Sequence, residues 1–100
     1  MDDVIERPSE ATTALPSVEQ VRLSGELDLA AFEGTRDLIV GAGRAAGVVV
    51  DLSAVTFIDS SGLRALLEAA NEVDVTLSSV PEAVDRILRI TGLDEYFPRQ

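Results

Sequence analysis

The sequence predicts one α/β domain, with a mixed four-stranded sheet and about three helices in the order β-β-α-β-α-β-α. The first observation is Val48-Val49-Val50-Asp51-Leu52, an apolar β-branched run too short for a helix and typical of a buried strand. The second is that strand patterns and helical patterns alternate along the chain, which favours parallel strands joined by crossover helices. The third is size: 100 residues, 46% of them hydrophobic, suit one small folded domain.

The amino-terminal part divides into a tail and the start of the domain. Residues 1–9 are acidic, contain Pro8 and show no periodicity, so a flexible acidic tail is predicted, with residues 10–100 as a single domain. A short edge strand is expected near Ala11–Leu15. A second strand is expected at Val18–Ser24, because Val21 and Leu23 alternate with polar neighbours.

The first helix is expected after a turn at Gly25-Glu26-Leu27-Asp28, where Asp28 is well placed as the N-cap. Gly41-Ala42-Gly43 is expected to end it. The predicted apolar stripe of this helix consists of Leu29, Phe32, Leu38 and Ile39.

A possible functional site follows the Val48–Leu52 strand, at Asp59-Ser60-Ser61-Gly62. A helix is expected over Ser60–Asn71, because apolar residues then recur with helical spacing, at Leu63, Leu66, Leu67 and Ala70. Unpaired backbone N–H groups and the positive end of the helix dipole lie at such a junction, which can hold an added phosphate. Ser60 is therefore the candidate functional residue, and Ser61, closer to the helix body, is the candidate cap.

The last third of the chain predicts one more strand and helix. Val73–Leu77 alternates strictly between apolar and polar residues, as a strand with one solvated face does. Ser79 and Glu82 have the spacing of a capping box, and Gly92 is expected to end the helix. The predicted buried residues of this segment are Val80, Val84, Ile87, Leu88, Leu93 and Phe97.

Composition excludes several classes of function. The formal net charge is −10, from 18 acidic residues against eight arginines, which disfavours direct binding to nucleic acid or to an anionic membrane. Histidine, lysine and cysteine are absent, so no Ser–His–Asp, Ser–Lys or Cys–His arrangement and no imidazole or thiolate metal site can form. No enzyme activity, cofactor or metal is predicted. No signal peptide or membrane-spanning apolar run is visible, so a cytoplasmic protein is expected.

The residues alone leave four interpretations of Asp59-Ser60-Ser61-Gly62. It is only a capped helix start, or Ser60 is a phosphoacceptor in a binding module. A phospho-aspartate receiver modified at Asp59 would need a lysine, which the chain lacks. A hydrolase using Asp51 and Asp59 as a carboxylate pair has no neighbouring motif to position a substrate.

Three motifs together resemble the STAS domain, and specifically the bacterial anti-sigma-factor antagonists. Phe57-Ile58 followed by Asp59-Ser60-Ser61-Gly62-Leu63 is similar to the family signature, and Gly25-Glu26-Leu27-Asp28 to its second marker. Gly92-Leu93 followed by Phe97 resembles the third. The similarity covers roughly residues 10–97. Family members often continue into a further C-terminal helix, whereas this sequence stops at Gln100.

The resemblance implies a partner switch. The unmodified protein would bind an anti-sigma factor, itself a serine kinase, and so release the sigma factor. That kinase would phosphorylate Ser60 and end binding, and a serine phosphatase would reset the protein. The residues expected to contact the partner are Glu26, Asp28, Asp59, Ser61 and Gly62. The alternative is a STAS domain that does not switch and serves as a scaffold or a ligand-sensing regulatory domain.

Overall fold

The computed structural model describes residues 18–100. The predicted tail at 1–9 and the predicted edge strand at Ala11–Leu15 lie outside the described residues. The strands are β1 (Glu19–Leu27), β2 (Val48–Ile58) and β3 (Val75–Ser78). The helices are a short 3-10 helix (Leu29–Ala31), α1 (Phe32–Gly43), α2 (Ser60–Ala70) and α3 (Glu82–Ile90).

Within this part of the chain the sheet has the order β1-β2-β3, and both pairs of neighbours are parallel. Parallel strands require a crossover, and α1 and α2 supply the two connections. The α/β class and the three α-helices are therefore confirmed. A fourth strand, and with it the mixed character of the sheet, stays a prediction.

Both strands that lead to the candidate site are longer than expected. The predicted turn at Gly25–Asp28 is wrong, because β1 continues to Leu27 and pairs Glu26 with Phe57 and Leu27 with Ile58. Likewise β2 continues from Leu52 to Ile58. Two register shifts each place one extra β2 residue opposite β1, which interrupts the apolar alternation that marks a strand in the sequence.

The core is aliphatic and lies between the sheet and the helices. Ile39, Leu52, Leu66, Leu77 and Leu88 are fully buried. The predicted stripe of α1 is only partly correct. Ile39 is buried, but Leu29 and Leu38 are 74% and 51% exposed; the buried residues of this helix are Thr35, Ile39, Val40 and Gly43.

The start of α3 differs from the predicted capping box. Pro81 occupies the N-cap position, and no side chain caps the helix. Ser79 lies outside the helix, two residues before the N-cap, with a left-handed φ of 53°. The end of α3 is as expected: Gly92 follows with φ 76°, and Phe97 is buried.

Residues after Phe97 pair with the outer edge of β3. The Leu77 N–H donates to the Pro98 carbonyl at 2.8 Å, and the Gln100 N–H donates to the Leu77 carbonyl at 2.9 Å. Arg99 adds an ion pair with Asp85 of α3 at 2.6 Å. Both backbone groups of Leu77 on this edge are therefore satisfied.

Candidate functional site

The site lies where β1 and β2 end side by side. Because Leu27 pairs with Ile58, the next residues, Asp28 and Asp59, occupy equivalent positions at one edge of the parallel sheet. Their backbone angles are nearly identical, with φ −121° and ψ −169° for Asp28 and φ −122° and ψ −168° for Asp59. Each caps the helix that follows it. Asp28 does so through one hydrogen bond, accepted from the Ala31 N–H at 3.2 Å.

Asp59 satisfies the first backbone donors of α2. Its carboxylate accepts from the N–H groups of Ser61 at 2.8 Å and Gly62 at 3.2 Å, and its carbonyl accepts from the Leu63 N–H at 3.0 Å. The prediction that Ser61 caps this helix is therefore wrong. A cap precedes the first helical residue, which is Ser60, so the aspartate has the capping position and Ser61 does not.

Gly62 brings the start of α2 against the end of β1. A Cβ atom at this position would overlap the Leu27 carbonyl oxygen and would lie 2.7 Å from Ile58 Cγ1 and 2.8 Å from Leu27 Cβ. The same Leu27 carbonyl accepts a hydrogen bond from the Asp59 N–H at 3.3 Å. Only glycine fits this approach, and it fixes the position of the α2 N-terminus.

Ser60 is exposed, while Ser61 is half-buried and Gly62 is buried. Ser60 is thus accessible to solvent at the end of the sheet. The environment is acidic, because Asp59 precedes it and Asp28 and Glu26 end the neighbouring strand. Gly62 contributes by packing, and its contact with a partner stays a prediction.

Phe57 is a site residue that the sequence analysis did not identify. It is half exposed (50%) and pairs with exposed Glu26 on the adjacent strand. Beside it, an apolar cleft of about 150 Å³ lies between the end of β2 and the start of α3. Its lining residues are Val55, Thr56, Phe57, Ile58, Pro81, Ala83, Val84 and Ile87. The second register shift leaves both Thr56 and Phe57 exposed, which strict alternation does not predict.

A cluster of charged and aromatic side chains continues from the site along α2. Glu68 pairs with Arg64 at 2.9 Å and with Arg36 of α1 at 3.3 Å. Both guanidinium carbons lie over the Phe32 ring, at 5.3 Å for Arg64 and 5.4 Å for Arg36. The sequence contains its signal in the i,i+4 spacing of Arg64 to Glu68 and of Phe32 to Arg36.

The ion pairs of this cluster shift the pKa values of Glu68 and Arg36 in the directions that favour their charged forms. Hydrogen bonding from Arg64, and then from Arg36, holds the pKa of Glu68 below its ordinary value. Hydrogen bonding to Glu68, and then to Asp37, raises the pKa of Arg36. Away from the cluster, hydrogen bonding from Ser53 lowers the pKa of Asp51, which also pairs with Arg22. The Asp51 carboxylate therefore contacts Ser53 and Arg22 and does not form a carboxylate pair with Asp59.

Over residues 18–100, no group of three or more His, Cys, Asp or Glu side chains is arranged to hold a metal ion. None of the helices in this range is long and apolar enough to cross a membrane. A polar depression of about 610 Å³ lies at the amino ends of β2 and β3, lined by residues 43–47 and 70–74. It is remote along the strands from the edge that carries Ser60.

Comparison with known proteins shows the family. The STAS domain model matches residues 11–100, and the chain belongs to this family. An anti-sigma factor antagonist from Mycobacterium paratuberculosis has a similar structure, with 30% identity and a TM-score of 0.67 over 79% of this chain and 74% of that one. The unphosphorylated form of the anti-sigma factor antagonist SpoIIAA gives 26% identity and a TM-score of 0.66, over 84% and 82%.

The same fold also occurs in a different setting. A sulfate transporter family protein from Wolinella succinogenes matches at 20% identity and a TM-score of 0.58, over 82% of this chain and 73% of that one. At this identity the similarity concerns the fold alone. The resemblance to STAS domains is therefore confirmed, together with structural similarity to anti-sigma factor antagonists.

We expect Gly62→Ala to destabilise the domain by about 1–3 kcal/mol, since a buried methyl group would push α2 off the end of β1. Gly34→Ala is the matched control, because Gly34 is also helical and has no atom within 4 Å of an added Cβ. It should stabilise α1 by up to about 1 kcal/mol. Urea unfolding of both variants measures the difference, and a Gly62→Ala protein as stable as wild type would contradict the packing assignment.

The capping assignment predicts that replacement of Asp59 lowers stability and that replacement of Ser61 does not. Asp59→Ala should lower the free energy of unfolding by about 0.5–2 kcal/mol, whereas Asp59→Asn should retain most of it because an amide oxygen still caps. Ser61→Ala should stay within about 0.5 kcal/mol of wild type, as expected of a residue without a capping bond. Thermal unfolding of the three variants provides the measurement, and a larger loss in Ser61→Ala than in Asp59→Ala would show that the wrong residue has been assigned.

Proposed function

We propose that this protein is an anti-sigma factor antagonist whose binding is controlled by phosphorylation of Ser60. The observation that carries the proposal is an exposed serine at the first position of α2, held at the sheet edge by the Asp59 cap and the Gly62 contact. Two antagonists with 30% and 26% identity and similar structures support the partner class.

The binding surface is the edge that contains Ser60, Glu26 and Phe57. Phe57 and the adjoining cleft offer apolar area for an anchor residue of the anti-sigma factor. Glu26, Asp28 and Asp59 surround the serine with negative charge, which suits a basic patch on that partner and would speed association. Ser61 and Gly62 are covered more deeply and contribute through the shape of the helix start.

Phosphorylation of Ser60 would dissociate the complex with the anti-sigma factor by changing this surface. The anti-sigma factor, acting as a serine kinase, transfers the γ-phosphoryl group of ATP to the Ser60 hydroxyl oxygen; ADP leaves, and the hydroxyl proton passes to the kinase. The product carries about −1.5 to −2 additional charge and a bulky group at the centre of the contact. A serine phosphatase hydrolyses the ester and restores the binding form.

In this scheme the protein is a substrate and not a catalyst. Its sequence contains no histidine, lysine or cysteine to activate a nucleophile, and it needs no cofactor or metal of its own. It would act in the cytoplasm, where the kinase finds ATP, without direct contact to nucleic acid or membrane. The alternative is a STAS scaffold or ligand-sensing domain that does not switch, for which the shared fold of the sulfate transporter family protein is the supporting observation.

The test compares two neighbouring serines. Purified wild type, Ser60→Ala and Ser61→Ala are incubated with radiolabelled ATP and an extract of the organism that makes the protein, and the phosphopeptides are mapped by mass spectrometry. We expect full loss of incorporation in Ser60→Ala and nearly unchanged incorporation in Ser61→Ala, because Ser60 is exposed and Ser61 is half-buried. Ser60→Ala should retain binding to the anti-sigma factor, and Ser60→Asp should bind weakly.

Phosphate mapped to Ser61, or incorporation that persists in Ser60→Ala, would contradict the assigned oxygen. An unmodified Ser60 in wild type, combined with equal partner binding by Ser60→Ala and Ser60→Asp, would favour the alternative without a switch. Heat-treated extract is the control for enzymatic transfer.

A further inference from the structure

A phosphate on Ser60 would find the next three backbone donors of α2 already occupied. Asp59 accepts the hydrogen bonds of Ser61, Gly62 and Leu63, the N–H groups that follow Ser60 in α2. Its carboxylate also places a like charge beside the phosphate, which is unfavourable. These three N–H groups are therefore not free to bind the phosphate, which leaves room for a cationic side chain as its partner.

Arg64 is the one cationic residue in α2 and lies four positions after Ser60. Residues at i and i+4 share a helix face, so Arg64 lies on the same face of α2 as Ser60. In the unmodified protein its guanidinium group is bonded in the opposite direction, to Glu68 one turn further on. The side chain is 72% exposed, and a change of rotamer would bring it toward the Ser60 turn, the direction in which helical side chains lean. A guanidinium group binds phosphate through two parallel hydrogen bonds, as it does a carboxylate, and the phosphate carries the larger negative charge.

Glu68, which pairs with Arg64, would keep a second partner if Arg64 moved away. Glu68 also contacts Arg36, at 3.3 Å, and Arg36 is the less exposed of the two arginines, with 29% of its side chain accessible. Arg36 keeps its position over Phe32 through the cation–π contact. Moving Arg64 therefore costs one exposed ion pair and the contact of its guanidinium group with the Phe32 ring, and it leaves the carboxylate of Glu68 with a partner.

We propose that Arg64 is the residue that binds the phosphate on Ser60, and that it exchanges Glu68 for the phosphate when Ser60 is modified. This inference rests on the proposed function, because it assumes that Ser60 is the modified residue. The modification would then alter the face of α2 over two turns, from Ser60 to Glu68. A partner would meet a paired phosphate at one end of that face and a Glu68 carboxylate released from Arg64 at the other.

The experiment uses the full chain with phosphoserine incorporated at position 60 during translation, so that neither kinase nor partner is required. The pKa of the phosphate is measured by ³¹P NMR in the wild-type background and in Arg64→Gln. We expect Arg64 to lower that pKa by about 0.15–0.7, the range of an exposed ion pair. Arg86→Gln is the matched control, because Arg86 is similarly exposed and has an i,i+4 pair with Glu82 on α3.

The Glu68 carboxyl group provides the second readout, by ¹³C NMR with and without the phosphate. Its pKa should rise toward the ordinary value on phosphorylation of the wild-type sequence, since Arg64 leaves it, and should change little in Arg64→Gln. Equal phosphate pKa values in the wild-type and Arg64→Gln backgrounds would overturn the proposal, and so would a Glu68 pKa that does not respond to the phosphate. Neither result would contradict phosphorylation of Ser60 in cells, which the extract assay measures separately.

Discussion

The contact between Gly62 and the end of β1 is the constraint on which the site depends. No side chain larger than hydrogen fits between the α2 backbone and the Leu27 carbonyl oxygen, so the helix start is held directly against the strand. The Leu27 carbonyl also accepts the Asp59 N–H, which joins the two adjacent strand ends. Ser60 lies between Asp59 and Gly62, and both of these residues contact the Leu27 carbonyl. The exposure of Ser60 is therefore set by the backbone of the helix start and not by a flexible loop.

The Asp59 cap gives the same site its electrostatic character. By accepting from the N–H groups of Ser61 and Gly62, it stabilises the helix and occupies two donors that could otherwise bind a phosphate. A phosphate on Ser60 would thus be exposed, repelled by its neighbour and dependent on a side chain for neutralisation. These properties suit a modification that is placed and removed by other proteins and that acts on a contact surface.

The sequence predicted the parts of the structure that follow from local pattern. Val48–Val50, the Leu63–Leu66 face and Gly92 have clear periodicity or turn chemistry, and each was found where expected. The end of β1 was missed because Gly25 and Asp28 are typical of turns, while pairing with β2 decides the outcome there. The exposure of Phe57 depends on strand register, and the pairing of Arg36 with Glu68 depends on packing between helices; the i,i+4 spacing of Arg64 and Glu68 is the only part of that cluster's ion pairs that a local pattern contains.

The central claim is that modification changes the surface of a fixed helix start and leaves the fold unchanged. Amide chemical shifts of the unmodified protein and of the protein carrying phosphoserine at position 60 test it most directly. We expect differences confined to residues near Ser60 and along the exposed face of α2, with the resonances of buried Leu66, Leu77 and Leu88 unchanged. Shift changes throughout the core, or loss of the α2 resonances, would show that phosphorylation acts by unfolding or repacking the domain.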